Sequence, residues 1–484
     1  MSTIATKAED VTVEQLGFFW WFPTNFLGLR SFLRRSGTAK DIAVCLSSRD
    51  FYTLFCIYFS TLVCLAQAMA QENTFEQGES SLPNNASLAQ QTFLRNNEDE
   101  KNHFDDVCQS YRQYAAFSMS QWANHQYRLH ALKESQRAIL PNALKRDTLE
   151  FKARADQYKE ATIRNQFCLD CILRHTGAPH SQQVVSMSKT VEDSQISKVS
   201  SVLKSLARDW SSDGAAEREM AYKPIISQMK RYLPLANDKE SRPVVCIPGA
   251  GVGRLAFEVS KLGYTVQGNE FSLFMLLASD FILNGSIATP DRPLEISPWL
   301  MESRNTHSLT DRCRSVQIPD IDPMSILTGN DDGTIAPNFS MAAGDFFSIY
   351  NNPKEISQWD CVCSCFFLDA CSNIIECIQL IYKMLKPGGF LINFGPLLYH
   401  WSGPGMRPDD RSVDEYQARY SHLDERYMRS VDITYEDVRE ILVNVGFEIV
   451  EEKVGVKALY TSDRRSMQTT VYRCVNFVAK KIAE

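Results

Sequence analysis

The 484-residue sequence predicts an α/β fold, an open and mostly parallel sheet with helices on both faces, preceded by an N-terminal all-α domain. Three observations lead there. Residues 242–484 alternate short apolar runs with helical patterns, the rhythm of successive β-α-β units. Within them, Val244-Val-Cys-Ile-Pro-Gly-Ala-Gly-Val-Gly-Arg254 carries an apolar run into a glycine turn and then into a helix. Residues 103–235 instead place apolar side chains at helical spacing between long polar faces, as in Phe104-Asp-Asp-Val-Cys-Gln-Ser-Tyr-Arg-Gln-Tyr-Ala-Ala-Phe117. The expected division is an accessory N-terminus over 1–95, a helical domain over 96–240 and a sheet domain over 241–484.

In the sheet domain, apolar runs bounded by turn residues predict strands at 244–248, 265–270, 341–344, 359–367, 389–394, 447–455 and 471–480. Helical patterns fill 253–262, 272–284, 373–385 and 434–445. No internal repeat is apparent. In the helical domain, Cys168, Cys171 and His175 have the residue types of a zinc site. On a straight helix the first and last lie ~10 Å apart along the axis, so packing thiols and no metal are expected.

The N-terminus is the unusual part. Phe51 to Gln71 is uncharged for 21 residues, long enough to span a bilayer, and Arg30, Arg34, Arg35, Lys40 and Arg49 precede it. Such an anchor would place the following domains outside, where 14 cysteines without a disulfide spacing would meet an oxidising environment. An accessory segment is the preferred reading, followed by a flexible linker over 72–102. The expected location is the cytoplasm, with the nucleus as an additional one and membrane association through 51–71 as the less favoured reading. A net charge of −7 offers no footprint for nucleic acid.

The chemistry starts at the glycine turn. Gly249, Gly251 and Gly253 let backbone N–H groups approach a ligand, and Glu270, 21 residues after the first glycine, is placed to hold two ribose hydroxyls. The G-x-G-x-G spacing is shorter than that of dinucleotide enzymes and points to S-adenosylmethionine, which has no pyrophosphate to cradle. Gly344-Asp345-Phe346 follows the third strand, where a carboxylate can accept from the adenine amino group and an aromatic ring can pack on the base. The strand from Trp359 ends at Asp369, which places that carboxylate at the reaction centre, because ligands bind beyond strand C-termini. Cys361, Cys363 and Cys365 along it are read as small packing groups facing opposite sides. Leu385-Lys-Pro-Gly-Gly389 is a tight turn before the fifth strand, and His400 follows that strand beside Asp369.

Taken together, Cys246-Ile-Pro-Gly-Ala-Gly-Val-Gly-Arg-Leu-Ala-Phe257, Gly263-Tyr-x-x-Gln-Gly-Asn-Glu-Phe271, Phe366-Phe-Leu-Asp369, Asn393-Phe-Gly-Pro-Leu-Leu-Tyr-His400 and Arg208-Asp-Trp-Ser211 resemble the carnosine N-methyltransferase family over roughly residues 95–484. The resemblance implies a Rossmann-like class I methyltransferase that moves a methyl group from S-adenosylmethionine to Nδ1 (π) of the histidine ring in carnosine, giving anserine. Related histidine dipeptides, or a histidine within a protein, are further acceptors it admits. It implies cofactor contacts at Arg208, Gly249, Glu270, Asp345, Phe346 and Cys361 and substrate contacts at Asp369, His400 and Tyr472; from the residues themselves, Gly251 and Gly253 of the turn are expected to join the cofactor set, and Asp369 with His400 to carry catalysis. A homodimer is compatible with it. Two positions depart from the pattern. Ser205 stands where the family has a cofactor-contacting Gln, and Thr470 stands where a second substrate tyrosine is expected, leaving the acceptor site one aromatic wall short.

A nicotinamide-dependent oxidoreductase would share the glycine turn but not its short spacing or the 386–389 turn. A non-catalytic scaffold of the same fold would not need Asp369 and His400.

Overall fold

The computed structural model describes residues 88–177, 192–235, 242–285, 287–328, 337–409 and 411–482. The apolar run 51–71 lies outside them. Among the described residues no helix is long and apolar enough to cross a membrane. The linker expected over 72–102 gives way to helix at Leu88.

The longer helices are α1 (Leu88–His130), α2 (Leu149–His175), α3 (Asp193–Trp210), α4 (Ala215–Tyr232), α5 (Arg254–Lys261), α6 (Leu273–Asn284), α7 (Ile374–Met384) and α8 (Tyr435–Val445). The strands are β1 (Val244–Pro248), β2 (Thr265–Glu270), β3 (Leu294–Ile296), β4 (Val316–Ile318), β5 (Asn338–Ala343), β6 (Trp359–Cys365), β7 (Leu385–Gly395), β8 (Phe447–Leu459) and β9 (Val471–Lys481). Seven form one sheet in the order β5-β2-β1-β6-β7-β9-β8. The first five run parallel, and β9 lies antiparallel between β7 and β8. This is the doubly wound pattern, closed at one edge by an antiparallel hairpin. The order reverses between β1 and β6, which opens a crevice above their C-terminal ends. β3 and β4 form a separate two-stranded sheet that the sequence reading did not foresee.

Each face of the sheet is covered by its own apolar cluster. On one side, Ile378 and Ile381 of α7 and Val438 and Leu442 of α8 pack on Val362 and Leu391. On the other, Ile225 and Met229 of α4 and Leu255 and Val259 of α5 pack on Ile247, Cys361 and Ile392. Helix α8 has a capping box at Thr434 and ends on Gly446 at φ 114°, which explains its sharp limits.

The described residues from Val107 on, helical region and sheet together, fall in one compact unit. Polar side chains join them. Asn165 of α2 exchanges two hydrogen bonds with the backbone of Ser297, at 2.9 and 2.6 Å. The Tyr111 hydroxyl donates to the carbonyl of Phe274 at 2.7 Å. Cys168 and Cys171 are buried on α2, and His175 reaches Asp280 at 3.3 Å.

Candidate active site

The glycine turn follows β1 because Gly249, Gly251 and Gly253 all adopt left-handed backbone, at φ 64°, 56° and 82°. Their surroundings differ. A Cβ at Gly249 would meet the Phe367 ring at 2.8 Å, and one at Gly253 would meet Leu283 and Ser279 of α6 at 3.0 and 3.1 Å. At Gly251 a Cβ would meet nothing within 4 Å. Gly253 thus serves helix packing, and Gly251 faces open space. Glu270, at the end of β2, accepts the Gly251 and Ser272 N–H groups, each at 2.8 Å. Burial raises its carboxyl above the ordinary range, and these backbone bonds draw it back. Asp345 caps the short helix 346–350 through the Ser348 N–H at 3.0 Å, and Phe346 packs edge-on to Phe367 at 5.3 Å. The Gly344 N–H donates to the Glu270 carbonyl at 2.9 Å, so both candidate adenosine contacts hang on adjacent strand ends.

Arg208, near the end of α3, makes a bidentate pair with Asp209 at 2.8 and 2.7 Å and lies 5.1 Å from the Tyr460 ring centre. The neighbouring Trp210 indole donates to the Val252 carbonyl at 2.9 Å, which ties α3 to the glycine turn. A cavity of ≈ 80 Å³ opens between them, lined by Arg208, Tyr222, Gly249, Cys365, Phe366 and Tyr460. Phe366 itself is held at φ 54°, a strained conformation for a residue with a side chain, with its N–H bonded to the Phe394 carbonyl at 2.9 Å.

Asp369 sits on the turn 368–370 beyond β6 and is 2% exposed. Its carboxylate accepts the Leu398 N–H at 2.7 Å, and its carbonyl accepts the His400 N–H at 3.1 Å. Burial pushes this carboxyl up, and the Leu398 N–H and the His400 ring pull it partly back. The loop after β7 is thereby latched to the end of β6, and Asp369 and His400 meet as expected. Tyr472 lies 6.0 Å from Phe366 and 6.3 Å from Tyr460, and Phe366 and Tyr460 are 4.8 Å apart. Three rings therefore form one aromatic wall.

The model of the carnosine N-methyltransferase family matches residues 185–483. The chain belongs to that family. A carnosine N-methyltransferase of Mus musculus is 34% identical over 388 residues, covering 79% of this chain and 86% of its own length. One of Drosophila melanogaster is 30% identical over 81% of this chain and 82% of its own length. One of Schizosaccharomyces pombe is 36% identical over 57% of this chain and 68% of its own. The protein is thus a methyltransferase, and its cofactor is S-adenosylmethionine. The crevice fits that group: open space at Gly251, a carboxylate at Glu270 for ribose hydroxyls, Asp345 and Phe346 for the base, and a guanidinium at Arg208 for a carboxylate.

The structure corrects one expectation, on the faces of the β6 cysteines, and gives Cys361 and Thr470 their surroundings. Cys361 lies in the middle of β6. It is fully buried, paired with Val245 and Phe390, four residues short of the strand end. Cys365, at that end, lines the cavity. Cys361 and Cys363 share one face, with sulfurs 3.6 Å apart, because residues two apart on a strand point the same way. Close to Thr470, where the resemblance implies a further tyrosine, stands Tyr460. The β8–β9 ladder pairs Ala458 with Tyr472 and Leu459 with Val471, so Tyr460 stands one step further, across from Thr470. Ser205 is buried on α3 one turn before Arg208. Sequence reading also missed Arg426, which pairs with Asp424 and lies 4.0 Å over Trp401 and 5.2 Å over Phe271, beside Glu270. Its helix, 425–429, carries no periodic signal long enough to read.

Proposed function

We propose that this chain methylates the ring Nδ1 of the histidine in carnosine, giving anserine. The observation that carries the reading is the buried Asp369 carboxylate, latched by Leu398 and His400 after the strand whose end also carries Phe366 of the Phe366–Tyr460–Tyr472 wall. The relatives' shared name supports carnosine as the acceptor. Bound S-adenosylmethionine would supply an electrophilic methyl group on a sulfonium.

A histidine ring has a pKa of about 6.5, so it is largely neutral at pH 7 and already nucleophilic. The protein's task is to choose tautomer and angle. Asp369 accepts the Nε2–H of the acceptor ring, which leaves the Nδ1 lone pair bare. The aromatic wall holds the ring plane, and the same carboxylate stabilises the imidazolium charge that develops. His400, exposed at the rim, steadies the Asp369 turn through its N–H. The test is mass spectrometry of products after incubation with S-adenosylmethionine and carnosine, with NMR to locate the methyl group. Anserine is the expected product. Methylation at Nε2, or none on carnosine, would overturn the reading.

A further inference from the structure

A second chamber, of ≈ 270 Å³, adjoins the cavity below Tyr460 and shares Arg208, Glu217 and Leu459 with it. Its lining carries Lys204, Arg208, Arg314, Arg464 and Arg465 against Asp213 and Glu217. Most of these charges are already satisfied. Lys204 pairs with Glu302, Arg208 with Asp209 at 2.7 Å, Arg314 with Asp463 at 2.7 Å, and Arg465 with Asp311 at 3.2 Å. The buried Glu217 carboxylate is taken up by the Thr461 and Ser462 N–H groups at 2.5 and 3.0 Å. Arg464 has no carboxylate in ion-pair reach among the described residues, and only the exposed Asp213 opposes it in the lining.

The segment that carries Arg464 is fastened on both sides. Arg314 stacks 3.6 Å over Trp299 while holding Asp463, and the Met467 N–H donates to the Asn305 carbonyl at 2.8 Å. An exposed arginine with no carboxylate partner among the described residues therefore stands in the lining of a chamber that also carries the Thr461 and Ser462 hydroxyls, which make no hydrogen bond to described residues. Tyr460, the wall against which the acceptor ring would lie, immediately precedes them. In a histidine dipeptide the terminal carboxylate lies about one residue's span, ~4 Å, from the ring.

We propose that this chamber is the subsite for the acceptor's carboxylate, anchored by Arg464. The proposal rests on the reading of a carnosine-like acceptor and makes this chain selective for carboxylated histidine dipeptides over their decarboxylated counterparts.

The test compares methylation of carnosine and of β-alanylhistamine, the same molecule without its carboxylate, by the full chain and by R464A, R464E and R464K. In R464A the KM for carnosine should rise on the order of tenfold, the worth of one charge-assisted contact, with kcat little changed. R464E should raise it further, and R464K should restore most of the loss. The KM for β-alanylhistamine should be high in wild type and the same in R464A, and calorimetry should give one affinity for S-adenosylhomocysteine in both. Equal changes for both acceptors, no change for either, or weakened S-adenosylhomocysteine binding would overturn the proposal while leaving the acceptor reading standing. Absence of any carnosine turnover in wild type would overturn both, and is told apart because no KM then exists to compare.

Discussion

At the scale of single residues, Asp369 carries opposing demands. Burial raises its carboxyl above the ordinary value, so holding it ionised at neutral pH costs stability. A raised carboxyl contributes stability only at low pH and loses it as pH climbs through the folded value. Asp369→Asn keeps an oxygen to accept the Leu398 N–H and removes that cost. It should raise Tm by about 1–3 °C in calorimetry, yet lower kcat by on the order of a hundredfold. In the wild type, kcat should fall on the acid side at a pH above the reference Asp value of about 3.9, and that limb should vanish in the variant's residual activity. Glu270 differs, because both its oxygens accept backbone N–H groups. In Glu270→Gln an amide NH₂ would face one of those donors. S-adenosylhomocysteine affinity should drop by roughly tenfold to a hundredfold in titration calorimetry, and an unchanged affinity would remove the ribose role.

At the scale of elements, the glycine turn separates packing from binding. Gly249→Ala meets both a left-handed backbone and the Phe367 ring, and should cost about 1–3 kcal/mol in denaturant unfolding. Gly251→Ala carries only the backbone strain, since its Cβ would enter open space. Its larger effect should fall on cofactor affinity. The strands at 244–248 and 265–270 and the helices of the sheet domain were legible because each is a local apolar pattern ended by a local signal, such as Gly446 after α8. β6 stops at Cys365 instead of continuing to 367 because Phe366 turns to φ 54°, with its N–H bonded to the Phe394 carbonyl across the sheet. The turn at 385–389 is absorbed into β7 as an irregularity opposite Trp359, since pairing with β6 resumes only at Phe390.

At the scale of the whole molecule, the helical region lines the candidate site through Arg208 and Tyr222. Asp320 receives Arg218 and Arg254, each at 2.6 Å, and its N–H donates to the Trp210 carbonyl at 2.9 Å. These contacts fasten α3 and α4 to the glycine turn. Asp320→Ala would leave two largely buried guanidiniums without their shared partner and should destabilise the chain by about 3–5 kcal/mol in chemical denaturation. A fragment starting at Arg242 would lack α3 and α4, exposing Ile247, Leu255 and Val259, and should show no cooperative unfolding by circular dichroism. The sequence by itself determined the α/β class, the glycine turn with Glu270, and Asp369 with His400, because these follow from short-range periodicity and from strand-to-turn order along the chain. Only the tertiary structure decided that Cys365 lines the cavity, that Tyr460 stands across from Thr470, and that α3 docks on the glycine turn. Those placements depend on where a strand ends, how two strands are registered and which helix docks on which turn, and each is set by packing between residues far apart in the chain.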